Sequence, residues 1–189
     1  MLSQKFSPVS AFALAFGLLS WSGVAAEIPQ AAGVPNFHQV NDQLFRGGQP
    51  TQEGFKNLAK LGVKTVVDLR ETSGRSASEE KAVTGLKMKY VPVPMFNCPS
   101  PEQAAKVLAI MNDPAAGPVF IHCKRGADRT GTLVACYRIS HDSWENEKAL
   151  LEARSFGMHW FEWAMFKFVR AFQPTAVAAA VAPAAEIAK

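Results

Sequence analysis

The chain has few cysteines, no strong excess of either charge and no internal repeat, and each absence narrows what it does. Three cysteines in 189 residues, Cys98, Cys123 and Cys136, are too few and too unevenly spaced for a disulfide scaffold or a zinc site. The odd thiol left over makes a reactive cysteine the more interesting reading. Lys and Arg exceed Asp and Glu only by 20 to 16, which suits an anionic ligand but falls well short of a nucleic-acid-binding surface. The lack of a repeat excludes solenoids and propellers. A further absence is local: between Lys81 and Cys123 the only acids are Glu102 and Asp113.

What is present fits one domain with ample apolar material for a single core. Residues 1–26 read as an export signal. Lys5 is their only charge, 9–19 is nearly all apolar, and Val24-Ala25-Ala26 offers small residues for cleavage before Glu27. An uncleaved anchor is the alternative, because the uncharged stretch approaches the roughly 20 residues that span a bilayer. Pro8 and the Ser and Gly residues favour cleavage, hence a periplasmic or secreted protein with no stable membrane insertion afterwards. Residues 27–36 read as a flexible lead-in, 37–172 as the folded domain, and the Ala- and Pro-rich stretch 173–189 as a disordered tail.

Along the domain, Thr51 caps a helical stretch with Phe55, Leu58 and Ala59 on one face, and Gly62 ends it before the apolar strand 65–69. A helix over 76–84, a strand over 87–93 and a Pro-broken loop over 96–101 follow. Ala104, Val107, Leu108 and Met111 mark a second amphipathic helix, and 118–121 is a strand. Helical patterns fill 130–139, 143–154 and 160–172, the last with Phe161, Met165, Phe168 and Phe172 as a core stripe. The alternation predicts an α/β fold, a small sheet with helices on both faces.

Between a strand and a helix lies His122-Cys123-Lys124-Arg125-Gly126-Ala127-Asp128-Arg129-Thr130-Gly131. A strand, a tight loop and a helix N-terminus make an anion site, because free amides and the positive end of the helix dipole converge there. The same field stabilises a thiolate, moving a cysteine from about 8.5 toward the range of roughly 3.5 to 7.5 seen at such positions.

These residues resemble the signature of the Cys-x5-Arg phosphatase superfamily. The upstream run from Val40 to Pro50, with Phe45-Arg46-Gly47-Gly48-Gln49-Pro50, and Gly62 to Arg70 resemble its dual-specificity branch, particularly compact atypical members. The resemblance implies a twisted, mostly parallel sheet flanked by helices and no metal or organic cofactor. It implies Cys123 as a nucleophile forming a phosphocysteine, Arg129 as a bidentate fork on phosphoryl oxygens, and Thr130 as a donor to the departing thiolate. His122 would order the loop from behind. Lys124, Arg125, Gly126, Ala127 and Gly131 would complete the substrate-binding loop. The substrate would be a phosphorylated protein or a phosphorylated lipid or inositol, and the enzyme a monomer without nucleic-acid partners. A phosphate-binding protein without turnover and a rhodanese-like sulfurtransferase are the alternatives; the latter usually has one residue fewer between Cys and Arg.

The chain departs from that pattern where most relatives supply a general acid, since Met95-Phe96-Asn97 contains no carboxylate. Asp128 stands directly before Arg129, as in myotubularins, Sac-type phosphatases and certain secreted bacterial phosphatases, and is the candidate acid, with Glu102 in reserve. Capping the helix or pairing with a neighbouring base is its other reading. Lys124 and Arg125 suit a multiply phosphorylated substrate, Arg46, Arg70 and Arg75 are candidates for the rim, and Cys98 could form a protective disulfide with Cys123.

Overall fold

The computed structural model describes residues 31–71 and 74–174; the expected signal and nearly all of the expected tail lie outside them. Five short strands form one mixed sheet in the order β1-β2-β5-β3-β4. They are β1 (His38–Asn41), β2 (Leu44–Gly47), β3 (Thr65–Asp68), β4 (Lys89–Pro92) and β5 (Val119–His122). Only β1 and β2 pair antiparallel; the other three pairings are parallel, as expected. The strands β1 and β2 were not anticipated, because Val40, Leu44 and Phe45 are too few apolar residues to mark two strands of four.

Six helices cover the sheet: α1 (Gln52–Lys60), α2 (Gly74–Gly85), α3 (Pro101–Met111), α4 (Asp128–His141), α5 (Asn146–Ser155) and α6 (Trp163–Ala171). Because successive strand residues face opposite sides, each strand feeds two cores. Phe45, Val66 and Phe120 pack with Phe55, Leu58 and Val83 on the α1 and α2 side. Leu44, Val67 and Ile121 pack with α3, α4, α5 and α6 on the other. Burial on both faces is why β5 reads as a continuous apolar run.

α4 is the central helix, buried almost all round, and it starts two residues earlier than its apolar pattern suggests. Gly131 allows α5 to approach: a Cβ there would lie 3.3 Å from Ala153 Cβ and Met158 Cε. Gly131 therefore has a packing role in the first turn of α4. Arg138 ties α4 to α5 through Glu152 at 2.9 Å.

Two other expectations change. The lead-in is not loose from residue 31 onward, because Ala31 and Val34 are buried against α1 and β2. Phe161 lies before α6 and is half exposed, stacked on His159, so the core stripe starts at Met165.

Ser100 starts α3 with a reciprocal capping box, accepting from the Gln103 amide while Gln103 Oε1 accepts from the Ser100 amide. Ser100→Ala should therefore lower unfolding stability by about 1 kcal/mol. A urea midpoint unchanged from wild type would show that the box contributes nothing.

Candidate active site

The loop 123–129 leaves the C-terminal end of β5 and enters α4, and its shape is set by where its carbonyls go. His122 Nδ1 lies 3.3 Å from the Cys123 carbonyl, and the Gln49 amide donates to the Lys124 carbonyl at 3.2 Å. The Gly126 carbonyl accepts from Arg46 Nη2 at 2.8 Å and from Asn36 Nδ2 at 3.1 Å. No peptide here is cis, so a carbonyl held outward turns the next amide the opposite way. The N–H groups of Lys124, Arg125 and Ala127 therefore turn inward. At Ala127 no side chain caps α4, which leaves the helix N-terminus open to the same anion.

Gly126 is required at its place for two reasons. Its φ of +71° is left-handed, and a Cβ would collide with the backbone of Gly47 and Gly48 at the end of β2. The predicted reason, room for the phosphate, is joined by the need to sit on a neighbouring strand.

Cys123 is buried at the base of the loop. Arg129 is held by two carbonyls, Met95 at 3.0 Å and Leu69 at 3.4 Å, from the segments after β4 and β3. The guanidinium lines a cavity of about 640 Å³ together with Gln49, Pro50, Gln52, Arg70 and Lys124. The Thr130 hydroxyl is buried with no hydrogen-bond partner, so the expected bond to sulfur is not formed in this structure. The loop can hold a tetrahedral oxyanion: inward amides and an uncapped helix end lie beside a buried thiol, and Arg129 carries a fork from the first turn of that helix.

Behind the loop, His122 is fully buried, with Nε2 2.8 Å from Glu79 Oε1, an ion-pair separation rather than an aligned hydrogen bond. Glu79 also accepts from Gln49 at 2.8 Å and bonds Arg70. Arg70 grips Asp68 through Nε at 2.9 Å and Nη2 at 2.7 Å, and Tyr90 donates to Asp68 at 2.7 Å. Burial pushes the Asp68 carboxyl up, but Arg70, His122 and Tyr90 together hold it below the usual carboxylate range. Burial and Asp68 push the Tyr90 phenol up. None of Gln49, Asp68, Glu79 and Tyr90 was anticipated, since a buried polar network carries no local pattern in the sequence.

Lys124 and Arg125 diverge. Lys124 lines the cavity, whereas Arg125 turns toward residues 157–162, donating to Gly157 O at 3.1 Å and lying 2.6 Å from His159 Nδ1. Asp128 joins this clamp, accepting from the His159 amide at 2.9 Å and lying 3.4 Å from Arg125. It is not a helix cap, but it does pair with a neighbouring base. Glu162 completes the cluster with Asp128 and His159. Glu102 lines a separate depression with Lys89 and Lys106, and its carboxylate accepts from Ser100.

Arg46 does not line the rim: it is fully buried under the loop, because its strand position faces the α4 side. Arg70 does reach the cavity, and the side chain of Arg75 lies outside the described part. All three cysteines are free thiols. Cys136 is core, its thiol pushed up by burial; burial first, and then Glu162, raise Cys98. Asp68, Glu79 and His122, and likewise Asp128, His159 and Glu162, are groupings with metal-ligand chemistry, but each already holds a guanidinium, Arg70 in one and Arg125 in the other.

Because Asp68 is held below its ordinary value, the stability it adds is present above the unfolded carboxylate pKa and is lost as pH falls through the lower folded value. Asp68→Asn should cost about 3 kcal/mol near neutrality, since it leaves Arg70 half-buried without its main partner. Urea unfolding from about pH 7 down to about pH 3 should show the gap to wild type closing in acid. A gap independent of pH would mean that its charge is not what matters.

Residues 27–170 match the family model described as DSP-PTPase phosphatase fused to NAD+ kinase. Inositol diphosphatase DSP2 of Oryza sativa is 32% identical over 143 residues, covering 71% of this chain and 67% of that protein. The probable chloroplastic NAD kinase 2 of the same plant is 34% identical over 109 residues, 52% of this chain; the matched stretch is only 11% of that kinase. The crystal structure of P. aeruginosa TpbA superposes with a TM-score of 0.66 at 26% identity, covering 79% of this chain and 92% of TpbA. A family model matched over residues 27–170 and a relative covered to two thirds of its length place the chain in the DSP-PTPase family of atypical dual-specificity phosphatases.

Proposed function

We propose that the chain is an exported phosphatase that cleaves phosphomonoesters through a phosphocysteine and favours substrates carrying more than one phosphoryl group. The observation that supports it most is the loop 123–129, whose carbonyls are held outward so that its amides turn inward beside the buried Cys123, while Lys124 and Arg129 line the adjoining cavity. In the reaction, Cys123 Sγ attacks phosphorus and the ester P–O bond breaks. Asp128, in its protonated form and turned from its clamp with Arg125 and His159, gives the leaving oxygen its proton, and water then hydrolyses the S–P bond to release inorganic phosphate and regenerate Cys123. The Thr130 hydroxyl, buried and unpartnered before reaction, donates to the thiolate as it departs. Export rests on residues 1–26, with their single lysine, apolar run and small-residue cleavage site.

The preference for several phosphoryl groups rests on Lys124, which lines the same cavity as Arg129, with Arg70 there as well but already paired with Asp68 and Glu79. The DSP2 relative is an inositol diphosphatase, and a second phosphoryl group would meet those cations. TpbA is a dual-specificity protein phosphatase, so phosphotyrosine is the competing substrate. A phosphate-binding protein without turnover is the second reading, favoured by the missing carboxylate at 95–97.

Cys123→Ser should abolish release of an aryl phenolate while inorganic phosphate still binds; equal, weak release by wild type and variant would establish the second reading. Asp128→Asn should cost about 10² to 10⁴ with a poor leaving group and much less with a good one. An equal, small loss on both would reduce Asp128 to its clamp.

Lys124→Ala should raise KM for an inositol diphosphate by roughly tenfold, the scale of one charge-assisted hydrogen bond, and leave a simple aryl phosphate nearly unaffected. The same factor on both substrates would remove the polyphosphate preference.

A further inference from the structure

Arg46 is a charged side chain that the reaction above does not use, and its surroundings are unusual. It leaves β2 on the α4 side and is fully buried. Nη2 is spent on the Gly126 carbonyl at 2.8 Å, while Nε and Nη1 are buried without any partner. A buried guanidinium is ordinarily matched by a carboxylate, because taking the charge out of water is costly. Glu152 is the carboxylate whose field reaches Arg46, but Glu152 is already bound by Arg138 through both oxygens at 3.2 Å. The face of Phe156, 4.4 Å from the guanidinium carbon, gives only partial compensation.

We infer that Arg46 is a positioning residue that serves as the buried counter-cation of the anion in the loop, stabilising the Cys123 thiolate and the bound phosphoryl group from beneath. The inference rests on the phosphatase reading for its catalytic consequence only. Two effects combine. By holding the Gly126 carbonyl outward, Arg46 turns the Ala127 amide inward. By carrying a charge with no ion-pair partner into a site of low dielectric, it favours negative charge at the sulfur, which lies within its field. Burial lowers the Arg46 pKa to about 10, with Glu152 and Cys123 acting in the opposite sense, so the group remains a cation at neutral pH.

Other charged groups around the two partners define the control. The charged or titratable neighbours of Cys123 along the chain are His122 of β5, Lys124 and Arg125 of the loop, and Asp128 and Arg129 in the first turn of α4. Arg46 has His38 of β1, Arg138 of α4 and Glu152 of α5 within electrostatic reach. Asn36 donates to the same Gly126 carbonyl without a charge, which makes it the neutral comparison.

The test follows the rate of iodoacetamide alkylation at Cys123 against pH, read by peptide mass so that Cys98 and Cys136 do not interfere. Arg46→Gln keeps a donor but removes the charge, and should move the profile upward by about one pH unit. Arg46→Lys keeps the charge and should stay much closer to wild type; Asn36→Ala, which loses a hydrogen bond to the same carbonyl but no charge, should move the profile less than Arg46→Gln does. An Arg46→Gln profile that coincides with wild type, or Gln and Lys profiles displaced equally, overturns the inference. Should Arg46→Gln fail to fold, Arg46→Lys decides: a profile near wild type supports the charge, and one displaced by about a full unit refutes it. Aryl phosphate turnover by wild type is measured in parallel, so that a shifted profile without any turnover would retain the counter-cation and reject the phosphatase.

Discussion

Peptide planarity is the constraint from which the site follows. An amide can point at an anion only if the carbonyl on the other side of the same plane is satisfied elsewhere. In this protein the partners come from three places: His122 at the end of β5, the Gln49 backbone after β2, and the Arg46 and Asn36 side chains. The parallel pairing of β2 with β5, Gly47 opposite His122, brings the first two to the same end of the sheet.

The loop is accordingly braced on two sides by different chemistry. On the α1 and α2 side, His122, Asp68, Arg70, Glu79, Gln49 and Tyr90 form a continuous network with little exposed surface. On the α5 side, Arg125, Asp128 and His159 form a partly exposed clamp on residues 157–162. The buried network is fixed by mutual hydrogen bonding, whereas the outer clamp is open to solvent and salt. Arg46 lies beneath the loop on the α4 side, within reach of neither network, with Phe156 and Glu152 as its surroundings.

Much of the fold was legible because helices repeat their apolar residues and because β3 and β5 are buried on both faces. The helix at 51–60, the turn at Gly62 and the strand before Cys123 were each readable from a handful of neighbouring residues. The strands β1 and β2 were not, since a four-residue strand with partners from distant sequence leaves almost no periodic trace. Phe161 was misassigned for a related reason: helical spacing placed it on the stripe of α6, but the helix begins only after it and the ring stacks on His159 instead.

The sequence by itself determined which groups the loop carries, because Cys123, Gly126, Arg129 and Thr130 stand at fixed offsets along one strand-to-helix turn, and local spacing is what a sequence records. Only the tertiary structure decided which cations line the cavity. Lys124 and Arg125 are adjacent in sequence yet turn to opposite sides, and Arg46 lies under the loop while Arg70 reaches the cavity. The reason is physical: a side chain's direction is set by the face of the strand or loop that carries it and by the partners that the fold brings to it. Those partners are set by the fold at very different separations along the chain: Gly126 stands 80 residues from Arg46, Gly157 32 from Arg125, and Glu79 only 9 from Arg70, on the helix after its strand.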